Sequence, residues 1–214
     1  MVVKTKFSWR LAVKLAAAGL VLAALAGHYL LAPWGFYWKV DEKEAALRMS
    51  LVETAQGHLG LNEADGSYRV ILDRYNAQPV LPMNYVLTDG DSWCAAFVSV
   101  AAMDAGLTDI IPVECGCQRQ IGLFEELGTW EEKDSAVPLP GDLIYYDWDN
   151  RRPGDCTGWA DHVGIVVGTK WPFLKVIEGN RDDQVCYRYL LLNDISIRGF
   201  GRPDYASAVE ARLN

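Results

Sequence analysis

From Leu15 to Trp38 the chain runs for twenty-four residues without a formally charged side chain. This run constrains the fold most, because it removes a long segment from any amphipathic, water-facing role. Four bases (Lys4, Lys6, Arg10 and Lys14) precede it, Lys39 follows, and no acid occurs before Asp41. A buried core helix would leave that basic head unexplained. The pattern instead predicts a signal anchor or a signal peptide. An anchor needs roughly 20 apolar residues to span a bilayer, and Trp34, Phe36, Tyr37 and Trp38 would sit in the interface at its far end. A signal peptide would be cleaved after the small-residue site Ala24-Leu25-Ala26. Gly27, His28 and Pro33 weaken the second half of the run, yet apolar and aromatic residues continue past the cleavage site, which favours the anchor. In either case the positive head stays in the cytoplasm and the rest of the chain lies outside it, tethered to the membrane through 15–38 or released if cut near Ala26.

What remains is acidic. After residue 40 there are 28 acids against 15 bases, a net charge of −13. Such a surface repels nucleic acid, so nucleic-acid partners are excluded as an expectation. The length suits one domain with a sizeable core. The organisation expected is a basic head (1–14), the apolar run (15–38), a linker (39–44), a catalytic domain (45–206) and a tail (207–214).

Within the body the hydrophobic period changes. Residues 41–59 read as a helix capped by Asp41, with Leu47, Leu51, Val52, Ala55 and Leu59 on one face and Gly60 at its end. A second helix fits 66–76. A third opens near Cys94, with Ser92 as N-cap and Phe97, Val98, Ala101 and Ala105 at helical spacing before Gly106. From residue 142 the pattern alternates: 142–148, "DHVGIVVGT", "LKVIEGN", "YRYLLL" and "IRGFG" read as strands. Helices followed by antiparallel strands predict an α+β fold, with the N-terminal helices packed on a small antiparallel sheet and a hydrophobic helix ahead of them.

Cys94 then falls in the first turn of a helix, where the positive end of the macrodipole favours a thiolate. A thiolate nucleophile needs an imidazole to take its proton and a polar group to hold that imidazole. His162 stands at the start of an alternating strand. A hairpin centred on residue 170 sets His162 opposite Glu178, and one centred on 171 sets it opposite Asn180. Both lie on the same side of the strand. A buried small hydrophobe at position 94, and a polar strand end at 178–180, remain the plain alternatives from spacing alone.

Four segments in this order, "WCAAFVSV", "PGDLIYYDW", "DHVGIVV" and "VIEGN", resemble the CHAP family of cysteine- and histidine-dependent amidohydrolases/peptidases. "IRGFGRPDY" looks like the C-terminal end of its bacterial members. The resemblance covers roughly residues 45–206. It implies a papain-like fold and hydrolysis of an amide bond in peptidoglycan without a cofactor. It also implies Cys94 as nucleophile, His162 as base and then acid, Glu178 as the orienting carboxylate and Asn180 as a supporting polar group. Some members hold calcium on an acidic loop before the nucleophile; here Asp89 and Asp91 supply too few oxygens, so a capped turn and no metal is the expectation.

Cys115, Cys117, Cys156 and Cys186 remain. The Cys115-Gly116-Cys117 spacing is too tight for an easy internal bridge. Pairing with Cys156 or Cys186, a zinc site, and free thiols all stay open. Trp93 and Trp159, next to nucleophile and base, could wall a substrate groove or pack in core and rim. The bond cleaved could be the muramoyl–L-alanine amide or a peptide bond of the stem or cross-bridge. The other readings of the same residues are a peptidase or amidase on a non-wall peptide, and a silent cell-wall-binding module. Nothing in the sequence calls for a second copy, and a monomer is expected.

Overall fold

The computed structural model describes residues 9–31, 40–132, 136–150 and 156–213. The chain divides into two units, Met1–Gly35 and Phe36–Asn214. The first contributes helix α1, Trp9–Leu31, on which Leu15, Leu20, Val21 and Leu22 are exposed. Among the described residues no helix is long and apolar enough to cross a membrane. Side chains of α1 are described only for 14–24 and Gly27, so more than half of the uncharged run lies outside them. Most of the basic head, Pro33 and the aromatic residues 34–38 also lie outside the described residues.

The second unit opens with α2, Glu42–Gln56. Asp41 caps it by accepting from the Lys43 amide at 2.8 Å, and Glu42 and Glu44 complement the dipole in the first turn. It ends three residues earlier than its periodicity predicts, in turns that lead to Gly60. Helix α3, Arg69–Asn76, is short. Helix α4, Cys94–Asp104, is the centre of the fold: every residue from Cys94 to Ala102 is buried. Ala95, Ala96, Ala101 and Ala102 keep it thin enough for neighbours to close on all sides. Two helices lack a strong sequence signal, α5 at Cys117–Glu126 and α6 at Tyr205–Leu213. Of the residues read as a tail, 207–213 belong to α6, whose Tyr205 is fully buried and donates to the Gly141 carbonyl at 2.8 Å.

Six strands form one antiparallel sheet: β1 (Trp130–Glu131), β2 (Leu143–Tyr146), β3 (His162–Lys170), β4 (Phe173–Arg181), β5 (Gln184–Leu191) and β6 (Ile197–Gly201), in the order β1-β6-β2-β3-β4-β5. Leu143, Tyr145, Val163, Ile165, Ile177 and Val185 share the main core with the helices. Ile144, Tyr146, Val166, Val176, Leu190 and Phe200 form a second core on the other face. The α+β expectation therefore holds.

The β3–β4 hairpin pairs Ile165 with Ile177 and Lys170 with Phe173, so its centre lies near 171 rather than 170. Its ladder is irregular between Val166 and Gly168, and that of β4–β5 between Glu178 and Arg181. Two glycines let these strands approach their neighbours. A Cβ on Gly164 would lie 2.7 Å from Glu178 Cγ, and one on Gly179 would lie 2.5 Å from Phe97 Cβ on α4. An ion pair fixes the other end of β2. Arg48 of α2 donates to Asp142 at 2.8 Å and to Glu44 at 2.8 Å, and Asp142 accepts from the Leu139 amide. Burial raises the Asp142 pKa despite the guanidinium beside it.

Candidate active site

Helix α4 begins at Cys94 itself. The N-cap is Trp93, one residue later than the Ser92 expected, and no side chain caps the helix. The first amides of α4 are thus not taken by a capping oxygen, and the Ala95 N–H supports the Cys94 sulfur. Gly179 lets the end of β4 press against Phe97, one turn on, which carries Glu178 toward the start of the helix.

Cys94, His162 and Glu178 come together in series. The imidazole lies within hydrogen-bonding reach of the Cys94 thiol. Its Nε2 is 3.2 Å from Glu178 Oε2, which leaves Nδ1 for the sulfur. All three residues are buried. The side chain that meets the ring is Glu178 and not Asn180, even though the hairpin centre is the one that would set residue 180 opposite 162. Pairing gives out before that point, and Asn180 adopts a left-handed φ of 55° that turns the strand. Glu178 reaches the ring diagonally.

Glu178 is itself held. Arg188 of β5 donates from Nε to both carboxylate oxygens, at 2.7 and 2.8 Å. Burial pushes the Glu178 pKa up, but the hydrogen bonds from His162 and Arg188 outweigh it and keep the group ionised. Burial likewise works against a charged His162, yet the bonds to Cys94 and Glu178 raise its pKa to about 9. The Cys94 pKa falls well below the ordinary thiol value. Its strongest cause is a hydrogen bond from Cys117, acting against burial and joined by His162. Both shifts favour a thiolate–imidazolium pair over a neutral thiol and imidazole.

Cys117 is a residue that sequence reasoning left without a role. It is the first residue of α5, and its sulfur lies 3.6 Å from that of Cys94. Glu114 sets this position. The Ser99 hydroxyl on α4 donates to the Glu114 carbonyl at 2.7 Å and accepts from its amide at 2.9 Å. The buried Glu114 carboxylate then accepts from the Cys115 amide at 2.9 Å and from Arg119 at 2.8 Å. The next residue, Gln118, accepts from the Ala160 amide at 3.0 Å and so steadies the segment that leads into His162.

Of the states left open for the cysteines, the structure shows free thiols and no pairing of Cys115 or Cys117 with Cys156 or Cys186. All five cysteines are free thiols; Cys156 lies 3.6 Å from an Asp147 oxygen and Cys186 donates to the Arg181 carbonyl. Among the described residues no cluster of His, Cys, Asp and Glu is arranged to hold a metal ion. Asp91 accepts from Thr88 and Tyr85, and Asp89 pairs with Arg69 and Tyr68.

The two tryptophans part company. Trp93 is fully buried, stacks near Tyr68 and donates to Glu63 at 2.9 Å, so it is a core residue and not a groove wall. Trp159 is 72 % exposed. Two aromatic rings lie beside His162, Tyr146 with its centroid at 5.9 Å and Trp148 at 6.0 Å, stacked on each other at 4.7 Å. The Trp148 amide donates to Asp161 at 2.9 Å, which gives the acid of "DHVG" a positioning task. Trp148 and Arg188 also open a groove of about 540 Å³ that runs past Tyr189 and Asp194.

No family model matches the sequence, and no curated protein matches it. Among solved structures, one titled "The crystal structure of Ly7917" aligns with 12% identity and a TM-score of 0.37, over 73% of this chain and 62% of that one. The chain thus matches about three fifths of that protein's length. A likeness at this level carries no argument about fold or activity.

Proposed function

We propose that the chain is a cysteine-dependent amide hydrolase, an amidase or endopeptidase of the CHAP type with a papain-like catalytic domain, acting on peptidoglycan. The observation that carries the enzymatic reading is the buried series Cys94–His162–Glu178 at a helix N-terminus, with Nε2 of the imidazole 3.2 Å from the carboxylate. The thiolate attacks the amide carbonyl carbon, and the oxyanion that forms is met by backbone N–H groups at the start of α4. His162 gives its proton to the leaving amine as the acyl–sulfur bond is kept. The neutral imidazole then takes a proton from water, which attacks the thioester and releases the acid. Glu178 stabilises each imidazolium stage, and no cofactor takes part.

The wall substrate rests on the four ordered motifs and on the expected outward position of the body. The uncharged run 15–38 behind its basic head supports a membrane tether. Trp148, beside His162, supplies an aromatic face for a substrate chain, and Trp159 is an exposed one. Purified peptidoglycan incubated with the protein should release soluble fragments, and their masses identify the bond cut. Cys94→Ala should release none. Fragment release by Cys94→Ala at the wild-type rate would overturn the nucleophile. Intact peptidoglycan alongside cleavage of soluble peptides would favour the peptidase reading. Retention on the wall without cleavage of either would favour the binding module.

A further inference from the structure

The contact between Cys94 and Cys117 does something the hydrolytic cycle does not require. Two sulfurs stand 3.6 Å apart, each on the first residue of its own helix, both buried. Hydrolysis needs one thiolate and one imidazole. A second thiol at this distance is placed where it could capture an oxidised first one. Closing the gap to a disulfide's roughly 2.05 Å asks for about 1.5 Å of sulfur travel, within reach of side-chain rotation.

We infer that Cys94 and Cys117 form a reversible oxidation site for small hydroperoxides, in which Cys117 resolves the sulfenic acid of Cys94. The reading rests on the Cys94 thiolate of the proposed enzyme but not on its substrate. The Cys94 thiolate attacks one oxygen of hydrogen peroxide; the O–O bond breaks, and the hydroxide that leaves takes the His162 proton and departs as water. Cys94 is then a sulfenic acid. The Cys117 sulfur attacks the Cys94 sulfur, the S–OH bond breaks, and the hydroxyl leaves as a second water with the Cys117 proton. In sum two thiols are oxidised to one disulfide and one peroxide is reduced to two waters.

The surroundings fit that order of events. Cys117 is kept protonated chiefly by its bond to the Cys94 thiolate, aided by burial, so the first attack belongs to Cys94. Once Cys94 is a neutral sulfenic acid, the anion that suppressed Cys117 is gone and its thiol is released to react. The other thiols offer no comparable partner: Cys156 faces a carboxylate oxygen and Cys186 a carbonyl. Cys115 points elsewhere, beside Tyr75. Without a resolving thiol, a sulfenic acid in this site proceeds to irreversible sulfinic and sulfonic acids. Cys117 therefore preserves the nucleophile through oxidative exposure, at the expense of activity while the disulfide lasts.

The experiment reads sulfur by mass and needs no substrate. The full chain is treated at neutral pH with hydrogen peroxide, the remaining thiols are blocked, and the protein is digested without reductant by a protease that cuts after glutamate. Cleavage after Glu114 separates the two cysteines. The expected product is a Cys94–Cys117 cross-linked peptide pair, about 2 Da lighter than the separate peptides and released by dithiothreitol. Cys115→Ser should keep the cross-link. Cys117→Ser, compared at equal consumption of the Cys94 thiol, should lack it and carry Cys94 about 32 or 48 Da heavier, unchanged by dithiothreitol. If Cys117→Ser fails to fold by circular dichroism, Cys117→Ala replaces it, and the mapped wild-type cross-link decides alone. Wild-type Cys94 found only as sulfinic or sulfonic acid, or cross-linked to Cys115, would overturn the proposal. A chain that cross-links yet leaves peptidoglycan intact would count against the wall substrate and leave this site standing.

Discussion

Glu178 serves two cations at once, His162 on one side and Arg188 on the other. Arg188 fixes the carboxylate and keeps it ionised inside the protein, so the charge that supports the imidazolium does not depend on solvent. Replacing Glu178 with Gln removes that support, lowers the His162 pKa and raises that of Cys94. Alkylation of Cys94 by iodoacetamide at neutral pH should therefore slow in Glu178→Gln, with the label located by mass spectrometry. Asn180→Ala should have the smaller effect, since the bond to the ring comes from Glu178. The reverse ranking would move the orienting role two residues along. The same ion pair sets the pH profile. Hydrolysis should fall on the acid side as the thiolate is protonated, and on the alkaline side as His162 loses its proton near pH 9. In Glu178→Gln the alkaline limb should move to lower pH, as measured by initial rates across a buffer series. Cys94, His162 and Glu178 were legible in the sequence because local signals marked each: a helix start, a strand start and a polar break in an apolar strand. Arg188 and Cys117 were not, because each acts through a contact between elements distant in sequence.

Between elements, two close approaches carry the site. Gly179 faces Phe97 and Trp93 with no room for a methyl group. Gly179→Ala should push β4 away from α4, lengthen the path from Glu178 to Cys94 and cut Cys94 alkylation, while the far-ultraviolet circular dichroism stays near wild type. Unchanged alkylation would show that the strand has room to give. At the other end of the sheet, Asp142→Ala would strip buried Arg48 of its buried carboxylate partner and leave it only the less buried Glu44. Loss of one member of such a pair costs about 3–5 kcal/mol, so the urea midpoint should drop sharply with little change in slope. The strands were readable from alternation in "DHVGIVV" and from the apolar run in "LIYY". Register was harder to read, since the ladder irregularities near Val166 and Glu178 shift partners without leaving a mark in composition. Helix α5 was hidden because Gly116 caps it without a side chain, and the signal that positions it, the Ser99–Glu114 pair, joins α4 to the loop before α5. Helix α6 was hidden because its short apolar face is completed by Arg48 and the Gly141 turn.

For the whole molecule, protease added to intact cells should digest the body if residues 41–214 face outward; full protection would overturn that placement. A mature form beginning near Gly27 would show cleavage in place of anchoring. The order of the sheet adds a consequence for biosynthesis. β6 is made after the other five strands of the sheet, yet it pairs with β1 on one side and with β2 on the other, inside the sheet. Until Gly201 has emerged, β2 has no neighbour on that side and Ile144 lacks Phe200 across the ladder. A nascent chain that already displays Cys94, His162 and Glu178 therefore still lacks a closed scaffold to hold them. Assembly of the Cys94 site thus waits for β6, and chains stalled before β6 should be degraded in pulse proteolysis and show no preferential labelling of Cys94.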